Sequence, residues 1–255
     1  MYISIMKKIF VTTFNKKLYE KYAYKLIDTY LNTNQLIPLY CYVEDEIDQY
    51  PKNKNIHFIN IYSSQPECYN FVKRNFERHK KLAEASFLLD ACRFSYKVFS
   101  QSDSRKYADS IFYIDSDIEF IKSIPEDWFD LCLPSDTFLT LHERINFYTE
   151  TGFLAFNNKL LNQKGESISN EFFNLYTRLY IYDLIYALPA FTDCHALDAT
   201  RWRFKFLHQK VLEYSNYKEK ILEVNSDSYK TNVSDSELLK PYIIHNKGYK
   251  GLNTR

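Results

Sequence analysis

The sequence predicts an α/β protein built on a mostly parallel mixed sheet with helices on its faces. Three observations lead there. Strand-like apolar runs alternate with segments of helical spacing in the order β-α-β-β-α-β up to Asp115. Those runs close in polar residues at their carboxyl ends, where the ligands of such sheets gather. The length, 255 residues with 45% apolar and 25% charged side chains, suits one sizeable domain with a substantial core.

Taken in order, Lys8 to Phe14 (KIFVTTF) reads as a strand. Lys16 to Leu31 carries Leu18, Tyr22, Leu26 and Tyr30 at helical spacing, with Asn15 as its N-cap. Leu36 to Val43 and Ile56 to Ile61 are the next strands. A long helical region follows from Glu67 to Phe99, then a polar loop from Ser100 to Lys106. The apolar run Ile111-Phe112-Tyr113-Ile114 reads as a buried strand ending at Asp115. In the second half, Phe129 to Leu133, Thr137 to Leu141 and Gly152 to Phe156 are expected as short strands. Glu166 to Leu188 is expected as a helix stopped by Pro189, Asp193 to Leu212 as one or two more, and Tyr242 to His245 as a terminal strand. No repeat, low-complexity tract or Gly/Ser linker divides the chain.

Composition excludes several classes. Net charge is +1, so no global field points to nucleic acid or to an anionic membrane. The basic run Lys73-Arg74 through Arg78-His79-Lys80-Lys81 reads as the solvated face of a helix. The 23 Tyr and 20 Phe beside only 4 Gly read as a genome-composition signature, not a functional one. No apolar stretch reaches the length of about 20 residues needed to span a bilayer. The five scattered cysteines, none in a Cys-x-x-Cys spacing, favour a reducing compartment, and the expected location is cytoplasmic.

The chemistry concentrates in "IFYIDSDIEFIKSIPEDW". Asp115 and Asp117 stand one residue apart at the mouth of an apolar strand, and unpaired charge there is costly, so a cation or strong donors should meet them. Two hard carboxylates suit Mg2+ or Mn2+ with positions left open for phosphate oxygens. A solvated turn with capping aspartates is the alternative for the bare tripeptide.

This segment resembles the metal-binding segment of GT-A-fold glycosyltransferases: apolar strand, Asp-x-Asp, short strand, then a proline at a helix start. "DACRFSYKVFS" (Asp90 to Ser100) is similar to the helix that carries a basic residue, here Arg93, toward the nucleotide sugar. "YTETGFLAFN" resembles a Glu-x-Gly-Phe segment, and "FTDCHALDATR" an aspartate-bearing helix start, as in small phage and bacterial glycosyltransferase-like proteins. "IIHNKGYKG" is similar to the His-x-x-Gly segment of family-eight-type retaining transferases, whose histidine is a third metal ligand. This sequence keeps His245 and Gly248 but has Lys250-Gly251 where that family has Lys-Pro-Trp.

The resemblance implies a GT-A-like (Rossmann-like) single domain over 1–255, with 1–117 the nucleotide-binding half and 118–255 the acceptor-side half ending in a metal-ligand tail. It implies transfer of a sugar from a nucleotide-sugar donor, UDP-linked, to a glycan or other hydroxyl-bearing acceptor. Asp115, Asp117 and His245 would hold Mn2+ or Mg2+. Thr12, Thr13, Arg93, Asp115 and Ser116 would bind the nucleotide sugar, and Glu150 and Asp193 are the catalytic candidates. Each has a structural alternative: an ST-turn for Thr12-Thr13, an Asp90 partner for Arg93, a hydrogen bond for Glu150 and an N-cap for Asp193. Two other functions stay open. A sugar nucleotidyltransferase would want a Gly-rich loop after the first strand, where "VTTFNKKLYEKY" has no glycine. An inactive nucleotide-sugar-binding module of the same fold is the second.

Overall fold

The computed structural model describes residues 6–144, 146–209, 217–223 and 231–247. Strands β1 (Lys8–Phe14), β2 (Leu39–Val43), β3 (Ile56–Asn60) and β4 (Ser110–Ile114) pair in parallel, with β1 between β2 and β4. On the other side of β4 lies β7 (Phe147–Asn157), antiparallel to it and to β6 (Leu139–Arg144). The short β8 (Glu219–Ile221) runs parallel to β6 at the far edge. The order is β3-β2-β1-β4-β7-β6-β8, one sheet shared by both halves of the chain. The expected mostly parallel mixed sheet flanked by helices is therefore the observed architecture. A separate antiparallel pair joins β5 (Ile118–Phe120) to β9 (Ile243–His245).

Both faces of the sheet are covered, which is why its strands read as continuous apolar runs rather than alternating ones. On one face Ile9, Val11, Ile111, Tyr113, Leu154 and Phe156 pack with α5 (Ala91–Ser104), α7 (Ile168–Ile181) and α8 (Asp193–Gln209). On the other, Phe10, Phe112, Ile114 and Phe153 pack with α2 (Tyr24–Asn32) and α6 (Glu126–Cys132). Asn15 caps the first helix as expected, its side chain accepting from the Leu18 amide at 3.0 Å. That helix begins as α1 (Lys16–Leu18) and passes through a π-helical turn at Tyr19–Ala23 before α2.

Several expectations need correction. The long helical region is two helices, α4 (Pro66–Ala85) and α5, following the short α3 (Ile61–Ser64) and separated by a 3-10 turn at Phe87–Leu89. Ser86 and Asp90 cap the new starts, accepting from the amides of Leu88 and Arg93. The polar stretch from Ser100 belongs to α5 through Ser104, not to a loop. Ser100 and Ser104 donate back to carbonyls three residues earlier, and Asp103 is buried against the Tyr42 hydroxyl at 2.8 Å. Phe129 to Cys132 is helical, not extended: Trp128, Phe129 and Cys132 fall on one buried side of α6, and Glu126 and Asp127 suit its positive end. The helix expected before Pro189 stops at Ile181, because Asp183 takes a left-handed conformation (φ +57°) and a 3-10 turn follows. The basic run on α4 is a largely exposed face, as expected, with Arg74 reaching Asp183 and the final carbonyls of α7. Among the described residues, no helix is long and apolar enough to cross a membrane.

Candidate active site

The site is built where β4 ends. β4 lies mid-sheet, so Asp115-Ser116-Asp117 emerges at the carboxyl edge, and three neighbours fix the turn. The Asp115 amide donates to the Gly152 carbonyl at 2.9 Å, while the amide and side-chain nitrogen of Asn246 both donate to the Asp117 carbonyl at 3.1 Å. Pairing of β5 with β9 sets Ile118 opposite His245 and so returns the chain end to the turn. His245 Nε2 lies 3.2 Å from Asp117 Oδ1 and 3.8 Å from Asp115 Oδ2.

One ligand atom from each of Asp115, Asp117 and His245 falls within 4.8 Å of the others, close enough for small side-chain shifts to bring all three to one cation. Two carboxylates and a buried imidazole are a donor set for a divalent cation. Gly152 is what lets them meet. A Cβ there would stand 2.8 Å from His245 Cε1, 2.8 Å from Val233 and 3.2 Å from Asp115 Oδ2. The close approach at Gly152 is thus made by the protein's own side chains. A bulge helps: between the pairs Thr140↔Ala155 and His142↔Glu150 the register shifts, so more residues of β7 than of β6 fill the interval.

Lys97, which the sequence did not single out, organises the floor of the site. Its ammonium lies 2.7 Å from Asp115 Oδ1 and 2.7 Å from Asp193 Oδ2, with its side chain 14% exposed. Burial alone would pull its pKa down, but Asp115 and Asp193 outweigh burial and hold it well above the ordinary lysine value. A pinned cation beside the turn lowers the cost of placing carboxylates there. Asp193 is only 1% exposed and also accepts from the Thr151 hydroxyl at 2.6 Å. It therefore stands behind Lys97 and does not line the cleft. It is not the N-cap either: it is the first residue of α8, and the Thr192 hydroxyl accepts from the His195 amide.

The cleft above this floor has a volume of about 980 Å3. Asp115, Ser116, Asp117, His245, Thr13, Arg93 and Glu150 all line it. Thr12 does not: its side chain is fully buried within β1. Arg93 is exposed. Its guanidinium lies over the Phe87 ring at 4.8 Å, and Asp90 pairs instead with His79 at 2.9 Å. Glu150 is held from three sides. It pairs with the Arg144 guanidinium, lies 3.4 Å from Lys247 Nζ and accepts from the Gly152 amide at 3.0 Å.

Two further residues line the cleft: Tyr22, which the sequence did not single out, and Glu44, one of the polar residues that close β2 at the carboxyl edge. Tyr22 places its hydroxyl beside Ser116. Glu44, at the end of β2, is pushed up to about 7 by burial, against hydrogen bonds from Tyr96 and Asn15 that pull it down. A signal existed for Lys97. It stands four residues after Arg93, on the same helix face, between Tyr96 and Val98, where a cation demands an anion. No comparable local signal marks Arg144 or Lys247, which reach Glu150 only through the β6–β7 hairpin and the end of β9. Gly248, Lys250 and Gly251 lie outside the described residues.

No family model matches the chain, and no curated protein matches it. Among solved structures it is similar to mouse xyloside xylosyltransferase 1 in its apo form, at 10% identity and a TM-score of 0.47, covering 85% of each chain. It is also similar to the apo form of the glycosyltransferase GlyE of Streptococcus pneumoniae TIGR4, at 15% identity and a TM-score of 0.46. That match covers 84% of this chain and 44% of GlyE, so the chain spans less than half of that protein.

Proposed function

We propose that this chain is a metal-dependent glycosyltransferase that moves a sugar from a nucleoside diphosphate donor, UDP-linked, to a hydroxyl-bearing acceptor. The convergence of Asp115, Asp117 and His245 on one point at the mouth of a cleft of nucleotide-sugar size carries this reading. Mn2+ or Mg2+ held by these three side chains would offset the charge that develops on the diphosphate as the sugar–phosphate bond breaks. Lys97 fixes the orientation of Asp115 and ties it to Asp193. Thr13, Arg93, Ser116 and Tyr22 border the donor, with Arg93 free to swing its charge toward a phosphate. Glu150 borders the opposite wall, its charge met by Arg144 and Lys247.

The pairing of both carboxylates bears on stereochemistry. Glu150 and Asp193 are each engaged by cations, and Asp193 stands behind the cleft wall, out of reach of an acceptor hydroxyl. Positioning therefore suits them better than proton abstraction. That favours retention, in which the leaving phosphate takes the acceptor proton.

Incubation with UDP-sugars, with and without Mn2+, tests the function. UDP release dependent on the metal is the expected result. Pyrophosphate release would mean nucleotidyl transfer, and metal-independent silence across donors would mean a binding module; either overturns the proposal.

A further inference from the structure

We propose that a second cavity, beyond the β6–β7 hairpin, is the acceptor site and that it takes a carbohydrate, the end of a neutral oligosaccharide. The inference rests on the transferase reading for the word acceptor, though not for the chemistry of the cavity itself. The cavity measures about 900 Å3, room for more than one sugar ring. Its walls come from the end of β6, the start of β7, α8 and β8.

Its surface combines two features. Three aromatic rings line it while staying open to solvent: Trp202 is 73% exposed, Phe147 45% and Tyr148 39%. Single exposed apolar residues are ordinary, but three rings around one concavity form a patch. The chain's other tryptophan, Trp128, is 2% exposed in the core, so the exposure of Trp202 is not a habit of the fold. Beside the rings stand the carboxylates of Glu143 and Glu223, both exposed. Carboxylates only accept hydrogen bonds, so they match hydroxyl groups, and flat rings match the C–H face of a pyranose.

The cationic side chains of the cavity speak against an anionic occupant. Arg201 lines it but is only 4% exposed and saturated, donating to Glu219, Asp198 and the Thr149 hydroxyl. Arg144 is paired with Glu150. A phosphate or nucleotide would find these cations already taken and face the carboxylates instead. A neutral glycan meets no such penalty.

Position connects this cavity to the cleft. Arg144 lines both, and successive residues of β7 divide between them, Thr149 lining this cavity and Glu150 the donor cleft. A saccharide seated on the rings would have a chain end directed past Arg144 toward Glu150. The two cavities then meet across one side chain, as donor and acceptor must.

The test uses the intact chain and its own fluorescence, since it has only two tryptophans and one is buried. Lactose, cellobiose, xylobiose and N,N′-diacetylchitobiose are titrated in, along with a Ser/Thr-rich peptide, and binding is repeated by calorimetry. At least one disaccharide should change Trp202 emission saturably. Trp202→Ala and Phe147→Ala should each weaken that binding by about tenfold or more with the melting temperature unchanged. Glu223→Gln should weaken it less. In turnover, Trp202→Ala should raise the acceptor KM by about tenfold or more. Saturable binding of the peptide with none by the disaccharides overturns the proposal, and so does disaccharide binding indifferent to both ring substitutions. Metal-dependent donor hydrolysis without any disaccharide binding sinks this inference and spares the transferase reading. Disaccharide binding without donor hydrolysis does the reverse.

Discussion

Two half-buried or buried glutamates, one in each half of the molecule, titrate in opposite directions. Glu44 at the end of β2 is pushed up to about 7, while Glu219 on β8 is held down at about 2 although burial alone would raise it. The difference lies in partners. Glu219 is gripped by Arg201 through two nitrogens at 2.8 and 2.9 Å, by Lys205 and by the Tyr217 hydroxyl. Glu44 has neutral donors only, and among the described residues no cation pairs with it. The Arg201 cluster is closed and fastens β8 to α8. The cleft carries polar groups whose demands the protein leaves partly unmet, including the buried Thr13 hydroxyl, which has no partner. A region that satisfies its charges holds a fold together; one that leaves them wanting is prepared for a ligand.

The largest expected effect comes from the cleft. Asp117→Asn keeps the shape of the turn and removes one anionic ligand, so metal-dependent donor turnover should fall by orders of magnitude while thermal unfolding shifts little. Normal turnover at limiting Mn2+ would remove the metal site from the proposal. The mirror experiment is Arg201→Met. It strands Glu219 and Asp198 in a buried position and should cost about 3–5 kcal/mol in urea unfolding. A loss under 1 kcal/mol would mean the cluster is not the fastening claimed for it.

The two glutamates also give opposite pH signatures. Glu219 has a folded pKa below its ordinary 4.5, so its stabilisation is present above pH 4.5 and drains as pH falls toward about 2. Glu44 has a folded pKa above its ordinary 4.5, so it costs nothing below that value, and a penalty builds as pH rises through about 7. Glu44→Gln should therefore stabilise the protein at pH 8 by about 2–3 kcal/mol and change nothing at pH 4. Equal effects at both pH values would refute the assignment. Acid unfolding of the same variant should keep the slope that Glu219 supplies.

Legibility in the sequence followed how local each interaction is. The βαββαβ order, the Asn15 cap and the Asp-x-Asp turn depend on neighbours in the chain, and they were readable. The segment Phe129 to Leu133 is misread because five residues, with Phe129, Leu131, Cys132 and Leu133 apolar, are too few for periodicity to tell a strand from a buried helix. The Ser100–Ser104 end of α5 was misread because its polar residues are buried by partners from β2 and α3–α4. Thr12 and Asp193 sit at the right sheet end but point behind the cleft wall, a matter of side-chain direction that spacing alone does not encode. Lys97 was nearly legible, through its i+4 relation to Arg93. Its two carboxylate partners lie 18 and 96 residues away, which no local pattern reveals.

The smallest and sharpest prediction concerns His245. The sequence raised two roles for it, a ligand on a closing tail and a residue of an edge strand, and the structure gives it both positions. Its backbone pairs with Ile118 in the β5–β9 ladder, while its imidazole, only 5% exposed, turns to Asp115 and Asp117. The ladder uses backbone groups, so His245→Ala should leave it intact and shift unfolding little. Deleting 244–255 removes the strand and should lower the melting temperature as well. The ligand role predicts a different signature: two aspartates still anchor the cation, so Mn2+ affinity should drop by about 10- to 100-fold rather than vanish. Calorimetric titration with Mn2+ in the presence of UDP, on wild type, His245→Ala and Asp117→Asn, orders the three. Affinity should fall from wild type to His245→Ala to Asp117→Asn. Unchanged Mn2+ affinity in His245→Ala would leave the histidine a strand residue whose side chain merely fills the space that Gly152 vacates.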